Sequence, residues 1–132
     1  MADLSVTAAS VIASANAVIL KQYNAGAAIT TGAVVYLDAN SKWQLTDANA
    51  SATGNDPANT RGVALGGGAN NQPIAVAIKD SYFTPGVTMS NGIAYYCSAN
   101  AGAICAVADV AASNYATVVG IARTTTIMNL NP

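Results

Sequence analysis

The residues Gly26-Ala-Ala-Ile-Thr-Thr-Gly32 begin an internal repeat, because their pattern returns 60 residues later as Gly86-Val-Thr-Met-Ser-Asn-Gly92. The agreement continues without a gap into the following residues, where Tyr36 aligns with Tyr96. After the turn, each copy contains an apolar segment, a short Asn-containing loop and a second apolar segment. This pattern predicts a turn followed by a β-hairpin, present twice in the chain.

A third strand completes each copy of the repeat. With small length changes, Gly62–Ala64 aligns with Gly120–Ala122. The repeat therefore comprises residues 26–65 and 86–123, which we expect to form two similar three-strand units. The region Ile74–Ile78, in which larger and smaller apolar residues alternate, is expected to join them. Two such units can bury their apolar faces against each other, which neither can do alone.

The other strand candidates are short and are separated by turn-forming residues. They are Ala33–Asp38, Trp43–Thr46, Gly62–Leu65, Ile93–Cys97, Ala103–Val107, Ala116–Ala122 and Thr126–Leu130. No long amphipathic helix is predicted. Short strands at this spacing are typical of a β-sandwich or barrel, so we predict one compact all-β domain over residues 26–132.

Residues 1–25 lie outside the repeat, and their apolar residues keep neither a helical nor a strand period. Two interpretations follow. The segment is an edge strand of the domain, or it is an N-terminal arm that becomes ordered on a neighbouring subunit by strand addition. The missing period favours the arm.

The composition predicts a protein that packs against partners. Only 8% of the residues are charged, whereas about 25% is usual in soluble domains. A surface with so little charge loses the repulsion that keeps proteins apart. The five cations are scattered, which argues against a nucleic-acid partner, since that role needs several cations facing phosphates. These cations are Lys21, Lys42, Arg61, Lys79 and Arg123.

A membrane partner is not predicted either. No apolar run approaches the roughly 20 residues that span a bilayer. The N-terminus lacks the cationic region of a signal peptide, so we expect synthesis in the cytoplasm.

The chain contains no His and no Glu, so the usual general bases, nucleophile activators and metal ligands are missing. Asp47 and Asp109 correspond in the repeat, but neither has the Asp-Thr/Ser-Gly context of an aspartic protease. Asp47–Ser51 imitates the start of a calcium loop without its later Gly and Glu. Gly66–Gly68 lacks the Lys and Ser/Thr of a phosphate loop. We predict no enzymatic activity, no metal and no cofactor.

Two interpretations of Cys97 and Cys105 remain open. The residues flank a seven-residue loop and can face each other across a hairpin, where they could form a disulfide. The repeat aligns them with Leu37 and Leu45, which favours two buried thiols instead. A reducing cytoplasm also favours the thiols.

The candidates for partner contacts come from the N-terminal segment and from one aromatic pair. Tyr82-Phe83 lies outside the repeat, and exposed aromatic residues often anchor interfaces. The predicted contact set is Leu4, Val6, Val11, Ile12, Tyr82 and Phe83.

Seven short motifs are spread over most of the chain in a consistent order. They are Ala-Asp-Leu and the residues after it in Ala2–Val11, Gly-Ala-Ala-Ile-Thr in Gly26–Tyr36, Trp-x-Leu-x-Asp-Ala-Asn-Ala in Trp43–Ala50, Arg-Gly-Val-Ala-Leu in Arg61–Leu65, Gln-Pro-Ile-Ala-Val in Gln72–Val76, Gly-Ile-x-Tyr in Gly92–Tyr96 and Tyr-x-Thr-Val-Val-Gly-Ile-Ala in Tyr115–Ala122. Together they resemble the small capsid cement, or head-decoration, proteins of tailed bacteriophages. The cysteine pair and the segment Ser51–Thr60 depart from the family pattern.

The resemblance implies a structural virion protein that binds the outer surface of the capsid, bridges neighbouring major capsid proteins and stabilises the head. It also implies self-association as a homotrimer and no catalytic residues. Such a protein is made in the host cytoplasm and ends on the virion. The alternative function is a carbohydrate-binding or tail-associated β-module that uses exposed Tyr or Trp side chains.

Overall fold

The computed structural model describes residues 3–48, 59–110 and 114–132, and the prediction of an all-β fold is confirmed. Within these residues, the only helical segments are two three-residue 3₁₀ turns, Ala8–Ser10 and Val107–Asp109. The strands are β1 (Val11–Ile12), β2 (Val18–Leu20), β3 (Asn24–Ala25), β4 (Val34–Leu37), β5 (Lys42–Leu45), β6 (Arg61–Ala64), β7 (Val76–Pro85), β8 (Ala94–Cys97), β9 (Ile104–Ala106), β10 (Val118–Ala122) and β11 (Met128–Leu130).

All eleven strands belong to one open sheet. Its order is β3-β5-β4-β6-β7-β11-β10-β8-β9, and β1 and β2 both pair with β7. The pairing is antiparallel throughout, except that β3 runs parallel to β5. The sheet does not close into a barrel, so the arrangement is that of a sandwich, in which two halves of the sheet cover each other.

Strand β7 belongs to both halves of the sheet. Its first residues pair with β6 and β2, and its last residues pair with β11 and β1. We expected the joining region to end at Ile78, whereas the strand continues to Pro85. A partner strand lies on each side of both halves, which explains why this is the longest of the described strands.

The two units have the same strand order. In the first unit the order is β2-β7-β6-β4-β5, and in the second it is β7-β11-β10-β8-β9. Beyond the predicted three strands, each unit therefore has two further strands in equivalent places, and β3 adds one more beside β5 in the first unit. Matching main-chain bonds close the two turns: Gly32 N–H donates to Ala64 O (2.8 Å), and Gly92 N–H donates to Ala122 O (2.9 Å).

Gly62 and Gly120 occupy equivalent positions in β6 and β10. A Cβ atom at Gly62 would lie 2.4 Å from the carbonyl oxygen of Ala77 on the neighbouring strand. At Gly120 the corresponding distance, to the carbonyl oxygen of Asn129, is 2.5 Å. Neither position can hold a side chain without moving the adjacent strand.

The predicted alignment of Leu45 with Cys105 is wrong by one residue. Val35 pairs with Leu45 in the first hairpin, but its equivalent Tyr95 pairs with Ala106 in the second. The second hairpin loop is therefore one residue longer. Trp43 then corresponds to Ile104, and Gln44 corresponds to Cys105.

Two hydrophobic clusters fill the structure. The first lies between the units, where Val34, Val63 and Ala77 pack against residues of the second unit such as Tyr95 and Met128. The second covers the opposite face of the first unit; it contains Ala25, Ile29, Ala33, Val35, Trp43, Ala64, Ile74 and Val76. The first unit is consequently covered on both faces.

The N-terminal segment lies along this chain's own sheet, as in the edge-strand interpretation. Leu4 N–H donates to Ile104 O (2.8 Å), and β1 and β2 follow the edge of β7. Between these strands, both the main-chain N–H (2.7 Å) and the hydroxyl of Ser14 donate to the buried carboxylate of Asp80.

The Asp3 carboxylate also accepts hydrogen bonds from the Ser98 hydroxyl (2.5 Å) and the Asn100 amide (2.6 Å). None of residues 3–20 is itself fully buried. Main-chain pairing and these side-chain contacts hold the segment in place.

Candidate interaction surfaces

The structure separates the six predicted contact residues into different environments. Phe83 is fully buried in the core between the units, so it cannot contact a partner. Successive side chains of a strand point to opposite faces, which places Tyr82 outside and Phe83 inside. Val11 is half-buried and packs against the same core. Leu4 and Val6 line a groove, whereas Ile12 and Tyr82 lie on an exposed sheet face.

The groove, which we call the end groove, lies where the N-terminal segment meets the hairpins of both units. Its volume is about 370 Å³. Leu4, Val6 and Leu45 line it, together with residues 28, 30–33 and 101–104. No lining residue is charged, and most of them are apolar. Such a surface suits an uncharged segment of another protein.

Two glycines with positive φ shape the end groove. A Cβ at Gly32 (φ +91°) would lie 2.6 Å from Val6 Cγ1, and a Cβ at Gly102 (φ +76°) would lie 2.8 Å from Leu45 Cδ2. Glycine tolerates this backbone conformation, which other residues rarely adopt. Both glycines thus let the groove walls approach closely.

The second unit has one sheet face exposed to solvent, which we call the outer face. Its large apolar members are Ile12, Tyr82, Val118 and Ile121. Ile121 pairs with Ala94 on one side and with Asn129 on the other, so these three residues form one row. Asn129 lies opposite the bulge of β7 that contains Tyr82, which extends the row to a fourth strand.

Arg123 is the charged member of the outer face. Its guanidinium carbon lies 5.0 Å from the ring centroid of Tyr82, within the range of a cation–π contact. Its Nε–H donates to the Ser81 carbonyl oxygen (2.6 Å). The two contacts hold the guanidinium over the Tyr82 ring at one side of the face.

A cleft lined by hydroxyl groups lies between the N-terminal segment and the end of β7. Its volume is about 450 Å³, and six of its eight lining residues are Ser or Thr. These six are Ser5, Thr7, Ser10, Thr84, Thr88 and Thr126. Thr84 is two residues from Tyr82 on the same strand. The cleft can offer many hydrogen bonds but no charge.

The two cysteines are free and buried, and the disulfide alternative is not formed. Cys97 pairs with Ile104, whereas Cys105 pairs with Tyr96. Neighbouring positions in a strand point to opposite faces, so the two side chains point away from each other.

Both cysteine thiols are also poor nucleophiles. Burial raises the pKa of the Cys97 thiol. Burial, reinforced by the charges of Asp3 and Asp109, raises the pKa of Cys105 to about 11. Because the thiolate is the reactive form, this environment suppresses reactivity.

The glycine run Gly66–Gly68 makes main-chain contacts within the fold. In the glycine run, Gly68 exchanges two main-chain hydrogen bonds with Ile29, each 2.9 Å long. Most of the calcium-like loop lies outside the described residues. Over the described ranges, no group of three or more Cys or Asp side chains can hold a metal ion, and no helix is long and apolar enough to cross a membrane.

Comparisons with protein-family models, with characterised proteins and with solved structures gave no match. The surfaces must therefore be interpreted from their own chemistry. Val118 and Ile121 were not among the predicted contacts. Residues Val118–Ala122 are all apolar or Gly, so no period in the sequence separates the two exposed side chains from the buried ones.

Proposed function

We propose that this protein is a non-enzymatic capsid cement protein, which binds the outer surface of a phage head and bridges neighbouring major capsid proteins. The observation that carries the proposal is the end groove. It is uncharged, it lies at one end of the domain, and two of the predicted contact residues, Leu4 and Val6, line it.

The chemistry of the groove favours a protein partner. Burying apolar surface is worth roughly 25 cal/mol per Å², and no lining charge has to lose its hydration. The main-chain pairing of the N-terminal segment fixes one wall of the groove before a partner binds. A preformed surface loses less conformational entropy on binding.

A cement role also suits weak individual contacts. Many copies bound at symmetric positions act together, so each contact can be modest while the shell as a whole gains strength. The low charge of the chain lets copies bind close together without strong repulsion. Self-association as a homotrimer, which the resemblance implies, belongs to the same proposal.

Co-sedimentation with undecorated heads of the cognate phage tests the proposal. The wild-type chain should bind saturably, at a fixed ratio to the major capsid protein. Ala101→Arg places a cation at the groove and should weaken binding by at least about tenfold, because a buried unpaired charge is unfavourable. Ala69→Arg is the matched control, since Ala69 is an exposed alanine of another loop.

The possible outcomes distinguish the cement function from the assignment of the end groove as its binding surface. Failure of the wild-type chain to bind its heads would refute the cement function. Binding by Ala101→Arg at wild-type affinity would keep the function and remove the groove from it.

The hydroxyl-lined cleft beside Tyr82 supports one second candidate, a carbohydrate-binding module. Sugars bind through hydrogen bonds and through stacking on aromatic rings, and both groups are present here. Retention of the wild-type chain on a glycan array, lost in Tyr82→Ala, would favour this candidate. A blank array for the wild-type chain would reject it.

A further inference from the structure

Residues 3–20, which we call the strap, are attached near one end to a buried carboxylate. The Ser14 N–H (2.7 Å) and the Ser14 hydroxyl both donate to Asp80 of β7, whose side chain has no exposed surface. The Tyr82 N–H (3.0 Å) also donates to this carboxylate. Two of these three donors belong to the strap. Opening the strap would therefore take hydrogen bonds away from a buried carboxylate, which is unfavourable.

A second carboxylate attaches the other end of the strap. Asp3 accepts hydrogen bonds from the Ser98 hydroxyl and the Asn100 amide, and the Ser98 side chain is fully buried. Beside this contact, Leu4 N–H donates to Ile104 O. Because no strap residue is fully buried, apolar packing alone holds the strap weakly. Hydrogen bonds to charged groups are stronger than neutral ones, so the two carboxylates are its main side-chain anchors.

We propose that Asp80 and Asp3 together hold the strap closed as one unit, and that the end groove is complete only while the strap is closed. Both aspartates are positioning residues, since neither lines the groove. The inference deepens the proposed function and rests on it only for the effect on head binding. The opening of the strap can be measured without heads.

Contacts along the strap connect its Ser14 end with the groove. A Cβ at Gly32 would lie 3.2 Å from Val11 Cγ2, and a Cβ at Gly86 would lie 3.1 Å from the same atom, so Val11 packs between the two units. Thr7 N–H donates to Gly86 O (2.9 Å). Val6, the residue before it, packs against Gly32 and lines the groove. Movement of β1 away from β7 would therefore also move the groove wall.

The end groove loses one wall when the strap opens. Leu4 and Val6 are its two strap residues, and the other lining residues belong to the two units. A partner segment that packs against Leu4 and Val6 binds only the closed form. The apparent affinity of such a partner is reduced in proportion to the fraction of molecules in the closed form.

Amide hydrogen exchange of the full chain, followed by NMR without heads, tests the role of Asp80. Asp80→Asn replaces one acceptor oxygen with an NH2 group, which faces a main-chain N–H in either orientation. The Leu4 and Thr7 amides, which do not bond to this side chain, should then exchange at least about tenfold faster. The amides of Gly32 and Gly92 should keep their rates, because the two units stay folded.

Asp38→Asn is the matched control. The Asp38 carboxylate also accepts from two main-chain N–H groups, those of Asn40 (2.9 Å) and Lys42 (3.0 Å), but both lie in its own hairpin. This substitution removes a comparable carboxylate that does not contact the strap. The Leu4 and Thr7 amides should therefore exchange at the wild-type rate.

Two further variants leave the buried carboxylate in place. Ser14→Ala removes one strap donor, and Asp3→Asn weakens the other anchor, so each should accelerate exchange of the Thr7 amide by about tenfold. When Asp3→Asn is combined with Asp80→Asn, the two factors should multiply to about a hundredfold, because the anchors act at opposite ends of one strap. In co-sedimentation, this double variant should bind heads more weakly than Asp38→Asn by the factor by which its closed fraction is lower.

Three results would overturn the proposal. The first is unchanged exchange of the Leu4 and Thr7 amides in Asp80→Asn. The second is equal acceleration of the core amides in both Asp80→Asn and Ser14→Ala, which would show a loss of stability in the whole domain. The third is undiminished head binding by a variant whose strap is mostly open. If the wild type fails to bind heads, the cement function fails, while the exchange rates still decide whether the two aspartates hold the strap.

Discussion

The first and second units share a strand order but not an environment. The first unit has a hydrophobic cluster on each face. One cluster packs against the second unit, and the other contains residues such as Ile29 and Ile74. The second unit is covered on its inner face, whereas Ile121 on its outer face is exposed. The comparison teaches that a repeat dictates how strands pair, while burial depends on what lies over each face.

The largest expected difference in the free energy of unfolding comes from placing a lysine at two equivalent positions, one in each unit. Val63→Lys buries an ammonium group between the units and should reduce the free energy of unfolding by more than about 4 kcal/mol, or prevent folding. Ile121→Lys should change it by less than about 0.5 kcal/mol, because the ammonium stays in water. Urea denaturation at low protein concentration measures both. Similar losses in the two variants would refute the contrast between the units.

The next largest effect is a loss of stability on replacing a strand glycine, and it should be equal in the two units. Gly62→Ala and Gly120→Ala each force a Cβ toward a carbonyl oxygen of the adjacent strand, so each should destabilise the fold by about 1–3 kcal/mol. The measurement is again the urea midpoint. Gly66→Ala serves as the control, because a Cβ there meets nothing within 4 Å. If only one of the two strand variants lost stability, the equivalence of β6 and β10 would fail.

The smallest effect is the pH dependence of stability that Cys105 contributes in the second unit. Cys105 corresponds to Gln44, which does not titrate, and the folded protein raises the pKa of Cys105 from 9.0 to about 11. A raised pKa favours the protonated, folded form. Its contribution to stability is therefore complete below pH 9.0 and is lost as the pH rises through about 11.

Denaturation midpoints over this pH range measure the loss. Tyrosine and lysine side chains also titrate there, so the relevant quantity is the difference between the wild type and Cys105→Ala. The wild type should lose more stability than the variant as the pH rises. Parallel curves would show that the Cys105 thiol is not held in its protonated form.

Much of the fold could be predicted because the repeat is visible in local sequence. Gly62 and Gly120 align through the residues around them, and both positions exclude a side chain. The one-residue slip of the second hairpin was not predictable in this way. In its loop, Ser98 Oγ accepts from Asn100 N–H (3.1 Å), much as Asp38 accepts from Asn40 N–H (2.9 Å). The same local bond closes two loops of different length, so the motif does not reveal the register.

The interaction surfaces were predicted only in part. Leu4 and Val6 were named as contact residues, but nothing local indicates the groove between two hairpins that they line. Tyr82 and Phe83 were treated as a pair, whereas the alternation of the strand separates them. The edge position of the N-terminal segment depends on Asp80, whose carboxylate binds Ser14 from 66 residues away.

By itself, the sequence determined the all-β class, the two-unit repeat and the lack of His and Glu, because these follow from composition and short-range pattern. The burial of Val63 and the exposure of Ile121 follow from how the two units pack, although the two residues hold equivalent places in the repeat. The physical reason is that burial is a property of the surface packed above a residue. In this chain, the second unit packs on that face of the first unit, whereas Ile121 on the equivalent face of the second unit is left exposed.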